Sequence, residues 1–217
     1  AEPPRDRVYF TITQRGDRTA IALAYGRPPP LVFTLGRVTD GMAQNAVLAL
    51  CAALWLGVPR DVIQRRLDAY APAPLRGEIR RVDGRLLYLD CYNANPASMA
   101  DALVTFDQLA PASAGPRLFL LGCMEELGPE SPAHHRELGA ALRLGPDDHV
   151  CVLGDQAGDV RDGAVAAGVR PDQVEVVPGV EVMAARFAGF AGAVFVKGSR
   201  RYQLERIIEN GHAPVAH

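Results

Sequence analysis

The chain has 217 residues, 48% of them hydrophobic and 22% charged, which is ordinary for a globular protein and enough for one large domain or two small ones. A formal net charge of -2 argues against a general affinity for nucleic acid or anionic membranes. No apolar run approaches the roughly 18–20 residues that span a bilayer, and Ala1-Glu2-Pro3-Pro4-Arg5 has no signal-peptide pattern, so a cytoplasmic protein is expected.

The first stretch reads as β. Strands are predicted over Val8–Thr13 and Thr19–Tyr25, around a polar turn at Gly16-Asp17, and over Leu31–Leu35 after a Pro28-Pro29-Pro30 break. A helix from Met42 to Leu56 follows, with Asp40 as its expected N-cap and Gly57 as its stop. It is apolar nearly all round, which predicts burial. A second helix opens at Pro59 and runs to Tyr70, and Ala71-Pro72-Ala73-Pro74 ends it near an expected domain boundary.

From Arg85 the pattern alternates. Strands are predicted at Leu86–Asp90, Leu118–Gly122, Val150–Leu153, Gln173–Val177 and Ala193–Val196. Helices are predicted at Ala97–Leu109, Pro132–Leu144, Ala157–Ala167, Val180–Phe187 and Tyr202–Glu209. Such alternation implies βαβ crossovers and an α/β fold with a mostly parallel sheet. Open sheets of this kind bind ligands beyond the carboxyl ends of their strands. Asp90–Asn95, Cys123–Glu126, Gly154–Asp155 and Lys197–Arg200 all fall at those ends.

Cys51, Cys91, Cys123 and Cys151 form no CxxC pair and sit in or beside apolar runs, which predicts buried, reduced thiols. The five histidines show no metal-binding spacing, so no metal site is expected. Lys197 is the only lysine; the other 22 of the 23 basic residues are arginine.

In Asp90-Cys91-Tyr92-Asn93-Ala94-Asn95-Pro96-Ala97-Ser98-Met99 a buried strand ends in an acid, an aromatic and two amides, and then a helix begins. The acid can accept hydrogen bonds from ribose hydroxyls, and the amides can both donate and accept, which suits a nucleotide or an amide substrate. A capped turn is the alternative reading, because Asn and Pro are common turn formers.

The word order of this segment resembles the DxYNANPxSM signature of the UDP-N-acetylmuramoyl-tripeptide–D-alanyl-D-alanine ligases, a branch of the Mur ligases. Leu121–Gly128 is similar to that family's LGDMxELG, His135–Gly139 to its HREVG, and Val196–Arg200 to its VKGSR. Gln44-Asn45-Ala46 resembles the end of its HNxxNALAA helix start. The resemblance runs from about Leu31 to Ile208.

It implies a Rossmann-like C-terminal domain over residues 79–217, with helices on both faces of a mostly parallel sheet. Residues 1–78 would be the last strands and helices of a partial central ATPase domain. It implies catalytic roles for Lys197 and Arg76, and nucleotide-facing roles for Asn45, Arg76, Asp90, Tyr92, Asn93 and Asn95. Lys197, Ser199 and Arg200 would face the substrate, while His135 receives no role. In the complete enzyme, ATP with Mg²⁺ would activate the tripeptide carboxylate as an acyl phosphate, which the D-alanyl-D-alanine amine attacks. The partners implied are UDP-N-acetylmuramoyl-tripeptide, D-alanyl-D-alanine and the remaining amino-terminal part of the ligase, with no nucleic acid and no membrane.

The chain departs from the family pattern at three places. Gly41-Met42 stands where His-Asn is usual, Cys123 where LGDM has its aspartate, and Leu75 where a glycine precedes the junction arginine. No GxxxxGK string followed by Ser or Thr occurs, and Lys197 follows a valine at a strand end, so it is no phosphate-loop lysine. Without a phosphate loop the isolated segment is expected to be inactive and to bind ATP weakly. A related amide ligase for another peptide and a non-catalytic Mur-like binding module are the competing readings. A generic dinucleotide-binding domain is weaker, because no GxGxxG follows a strand.

Overall fold

The computed structural model describes residues 7–25, 28–82 and 84–210. The five residues read for a signal peptide lie outside that range. The chain divides into two compact units, Ala1–Pro72 and Ala73–His217. The division falls inside the Pro-rich stretch, slightly ahead of the boundary expected after residue 78.

The first unit is an antiparallel sheet of β1 (Tyr9–Arg15), β2 (Arg18–Ala24) and β3 (Leu31–Gly36), followed by α1 (Asp40–Trp55) and α2 (Arg60–Asp68). Alternation along β2 and β3 sends Ile21, Leu23, Phe33 and Leu35 to one face, where they bury against Ala43, Val47, Leu50 and Ile63 of the helices. The N-cap of α1 is Thr39 rather than Asp40; its hydroxyl accepts from the Met42 N–H at 3.2 Å. Asp40 is already inside the first turn, where its charge complements the helix dipole. The expected burial of α1 on all sides does not hold in the described residues. Leu48, Trp55 and Leu56 are exposed, Trp55 at 86%.

The second unit is a six-stranded sheet in the order β4-β5-β9-β6-β7-β8. Its strands are β4 (Glu78–Val82), β5 (Arg85–Asp90), β6 (Arg117–Gly122), β7 (His149–Leu153), β8 (Val174–Val176) and β9 (Ala193–Lys197). All neighbours pair in parallel except β4, an antiparallel edge strand on β5. Sequence reading missed β4 because Arg80 and Arg81 break any apolar alternation, as an exposed edge allows. The helices are α3 (Pro96–Leu109), α4 (Ser131–Ala140), α5 (Ala157–Ala166), α6 (Val180–Ala188) and α7 (Arg206–Asn210). α3, α4 and α5 cover one face, over Tyr88, Phe119, Leu121, Val152 and Phe195. α6 and α7 cover the other, over Leu87, Leu89, Leu118, Leu120 and Val196.

α4 and the last helix fall short of their predicted spans. α4 stops at Ala140 instead of Leu144; the chain turns there and the Arg143 carbonyl accepts from the Arg117 guanidinium at 2.5 Å. The expected helix Tyr202–Glu209 is a 3-10 turn at Arg200–Tyr202, then Gln203 at φ 47°, then α7. The left-handed residue breaks the helix.

The HRELG segment is a packing device. A Cβ on Gly139 would stand 1.9 Å from the Val160 carbonyl oxygen, and one on Gly163 would stand 2.0 Å from that of Arg136, so these glycines let α4 and α5 touch backbone to backbone. His135 is fully buried; its Nε2 accepts from the Met124 N–H at 2.9 Å, and its Nδ1 lies 2.7 Å from the Ser131 carbonyl oxygen. That geometry places the proton on Nδ1. The imidazole pins the loop after β6.

Candidate functional site

The connections after β5 and β6 lead to one face of the sheet, and the connection after β9, which lies between them, leads to the other. This is the switch point at which open α/β sheets leave a crevice for ligands. The Asp90–Asn95, Cys123–Glu126 and Lys197–Arg200 loops meet there.

Asp90 and Lys197 end neighbouring strands and are directly in register. The Lys197 side chain is 1% exposed, and its Nζ lies 2.5 Å from Asp90 Oδ2. It also donates to the Asn93 carbonyl at 3.3 Å. The ammonium therefore ties the strand-end acid and the following loop to β9. The Asp90 side chain keeps 17% of its surface exposed, so the acid still reaches solvent.

Arg76 lies over the other side of the same loop. Its guanidinium carbon stands 4.0 Å from the centroid of the Tyr92 ring, and Tyr92 is 47% exposed. Such cation–π contacts contribute about 0.5–1 kcal/mol at exposed sites. The Tyr92 N–H donates to the Leu75 carbonyl at 3.2 Å, and the Leu75 N–H donates to Glu78 Oε2 at 3.2 Å. Leu75 has φ 62°, the left-handed region that glycine enters without strain. A glycine there, as in the pattern this segment resembles, would carry no such strain. Here the leucine packs partly against the core on the α6–α7 side.

The remaining expected site residues are held in local structure. The Asn95 side-chain oxygen accepts from the Ser98 N–H at 2.9 Å, and Ser98 Oγ accepts from the Asn95 N–H at 3.1 Å, a reciprocal cap for α3. Asn93 Oδ1 accepts from the Ala94 N–H at 2.9 Å. Ser199 caps the 3-10 turn through the Arg201 N–H, and Arg200 pairs with Glu205. Asn45 belongs to the first unit, on the exposed side of α1, where it lines a mostly apolar groove of about 480 Å³ with Val38, Ala49, Val62 and Tyr70. The second unit thus brings Arg76, Asp90, Tyr92, Asn93 and Lys197 together, with Ser199 and Arg200 on the adjoining loop.

Sequence reading missed a second cluster beside it. The Tyr202 hydroxyl donates to Glu125 Oε1 at 2.5 Å, and Arg201 pairs with Glu125 Oε2 at 3.1 Å. Its signal was three glycines, Gly122, Gly154 and Gly198, at neighbouring strand ends. Cys123 adds no charge here, since burial above all pushes its thiol up to about 12.

Two groups here have the chemistry a nucleotide would need. The exposed edge of Asp90 suits a ribose hydroxyl, and the Arg76 guanidinium suits a phosphate oxygen. Among the described residues no group of three or more His, Cys, Asp or Glu side chains could hold a metal ion. No helix among them is long and apolar enough to cross a membrane.

These features define a Mur-ligase C-terminal domain, and the chain belongs to the Mur ligase family: residues 75–200, more than half of its length, match the family's glutamate ligase domain. Among curated proteins it is similar to the UDP-N-acetylmuramoyl-tripeptide–D-alanyl-D-alanine ligase of Escherichia coli, at 28% identity over 172 residues, 77% of this chain and 37% of that one. The ligase of the same name from Treponema pallidum is 40% identical over 96 residues, 43% of this chain and 20% of that one. Among solved structures, MurF from Acinetobacter baumannii superposes with a TM-score of 0.75 at 24% identity, covering 94% of this chain and 44% of that one. The MurF ligase of Thermotoga maritima in complex with ADP gives 0.72 at 24% identity, covering 94% and 45%. The chain spans less than half the length of these relatives.

Proposed function

We propose that this chain is the carboxyl-terminal part of a cytoplasmic, ATP-dependent amide ligase that adds D-alanyl-D-alanine to UDP-N-acetylmuramoyl-tripeptide in peptidoglycan precursor synthesis. The observation that carries this reading is the Asp90–Asn95 loop, tied by Lys197 and faced by Arg76, in a segment similar to ligases of that name. ATP with Mg²⁺ supplies the activating phosphoryl group in the complete enzyme. The first unit, to Pro72, is the end of the ATPase domain, and the second, from Ala73, is the domain that brings the dipeptide.

On this reading Asp90 orients the ribose and Arg76 faces a phosphate. Lys197 acts as a positioning residue: its ammonium is spent on Asp90 and Asn93. Arg200, half exposed on the adjoining loop, is the better candidate for the dipeptide carboxylate. The segment on its own does not form the bond, because phosphoryl transfer needs the phosphate loop supplied by the rest of the ligase.

The test is acceptor dependence. In a polypeptide joining this segment to the phosphate-loop region, ADP release should require D-alanyl-D-alanine and fall more than about tenfold with L-alanine or L-glutamate instead. Equal turnover with those acceptors would favour an amide ligase of another specificity.

A further inference from the structure

The crevice at the switch point between β9 and β6 is not empty. Tyr202 turns back from the 3-10 turn after β9 and lies across the strand ends. It is partly buried against the cores on both faces of the sheet, which places the ring at the sheet's edge between the two helix layers. The strand ends make room for it. A Cβ on Gly122 would stand 2.9 Å from Tyr202 Cδ2, and one on Gly154 would stand 2.5 Å from the Tyr202 hydroxyl. Gly198 and Gly122 approach so closely that a Cβ on Gly198 would lie 2.7 Å from the Gly122 Cα. Gly154, at φ 130°, takes a backbone conformation that side chains rarely allow. The phenol is fastened at its far end: its hydroxyl donates to Glu125 at 2.5 Å, and Arg201 holds the other Glu125 oxygen. Burial, chiefly, and the Glu125 hydrogen bond push the phenol's pKa up, so the hydroxyl stays protonated as a donor.

We propose that Tyr202 is a self-supplied occupant of the ligand crevice between β9 and β6, which closes that crevice and confines any bound nucleotide or peptide to the Asp90 side of Lys197. In an open α/β sheet this is the place where a dinucleotide would otherwise lie. The proposal does not depend on the ligase reading, since it concerns where any ligand can enter the sheet edge. Tyr202 acts as a specificity-determining residue: it excludes ligands without touching the one that binds.

The test replaces the ring and offers it back. Tyr202→Ala opens a ring-sized site lined by glycine and Glu125, and engineered cavities of this size take up small aromatic molecules. p-Cresol, a free copy of the side chain, should raise the melting temperature of Tyr202→Ala by about 2–4 °C at millimolar concentration, while wild type and Tyr202→Phe show no gain. Toluene should help less, because it offers Glu125 no donor. A folded Tyr202→Ala protein that gains no more than wild type, or a Tyr202→Phe protein that gains as much, would overturn the proposal. Should Tyr202→Ala fail to fold, nuclear Overhauser contacts in the wild-type chain decide. Contacts from the Tyr202 ring to the Gly122 and Gly154 α-protons support the occupied crevice, and their absence refutes it.

Discussion

Replacing Lys197 with methionine is expected to lower the stability of the second unit by about 2–4 kcal/mol, read as a fall in the urea midpoint at unchanged slope. The lysine is 1% exposed and its ammonium has Asp90 at 2.5 Å. Removing it strands a carboxylate that is itself mostly buried. Breaking a buried pair from one side costs about 3–5 kcal/mol, and the 17% exposure of the Asp90 side chain trims that figure because water can reach the orphan. Asp90→Leu should cost at least as much, since the stranded ammonium has less access to solvent. The double replacement Lys197→Met with Asp90→Leu should recover most of the loss, because an apolar pair of similar volume needs no desolvation. Lys197→Arg should not rescue, because a planar fork cannot follow the path of an unbranched ammonium in a filled site. If each single change costs under about 1 kcal/mol, the pair does not tie β5 to β9. In an active ligase Lys197→Ala should also reduce turnover more than about tenfold by loosening Asp90.

The largest structural loss is expected at Asp148. This carboxylate is 1% exposed and accepts from the Arg117 N–H at 2.8 Å, Arg117 Nε at 2.9 Å, an Arg117 terminal nitrogen at 2.6 Å and the Gly145 N–H at 2.7 Å. Arg117, also 1% exposed, gives its remaining donors to Asp107 and to the Ala110 and Arg143 carbonyls. The network joins the start of β6 to the chain entering β7. Asp148→Ala leaves a buried guanidinium short of its main counter-charge and should cost about 3–5 kcal/mol, a large share of the 5–15 kcal/mol typical of a domain. Asp107→Asn, at a side chain 30% exposed, should cost less than about 1 kcal/mol. Thermal melts of the two variants separate the cases. A mild Asp148→Ala alongside a severe Asp107→Asn would show that the charge balance lies elsewhere.

Much of the second unit was legible because its strands are short apolar runs punctuated by glycine and helical stretches. β5, β6, β7 and β9 lie within a residue of their predicted ends. β4 was not legible, because its charged residues face outward on an edge. Arg117 was not legible either: an arginine at the head of an apolar strand looks like a surface residue until the fold brings Asp148 to it from 31 positions away. The candidate site was half visible. The strand-end position of Asp90 and Lys197 followed from the alternation of elements, and their mutual contact followed only from strand order, which places β9 beside β5. The caps formed by Asn95 and Ser199 show how a motif can be read as ligand-facing while its side chains serve the backbone. Tyr202 escaped notice because its signal is three separated glycines, which sequence spacing does not connect.

The most direct test of the central claim is isothermal titration of this chain with D-alanyl-D-alanine, L-alanyl-L-alanine and ATP. Saturable binding of D-alanyl-D-alanine on the order of millimolar affinity is expected, with none of the L,L-dipeptide and only weak binding of ATP. Equal binding of both dipeptides, or micromolar ATP binding without the phosphate-loop region, would contradict it.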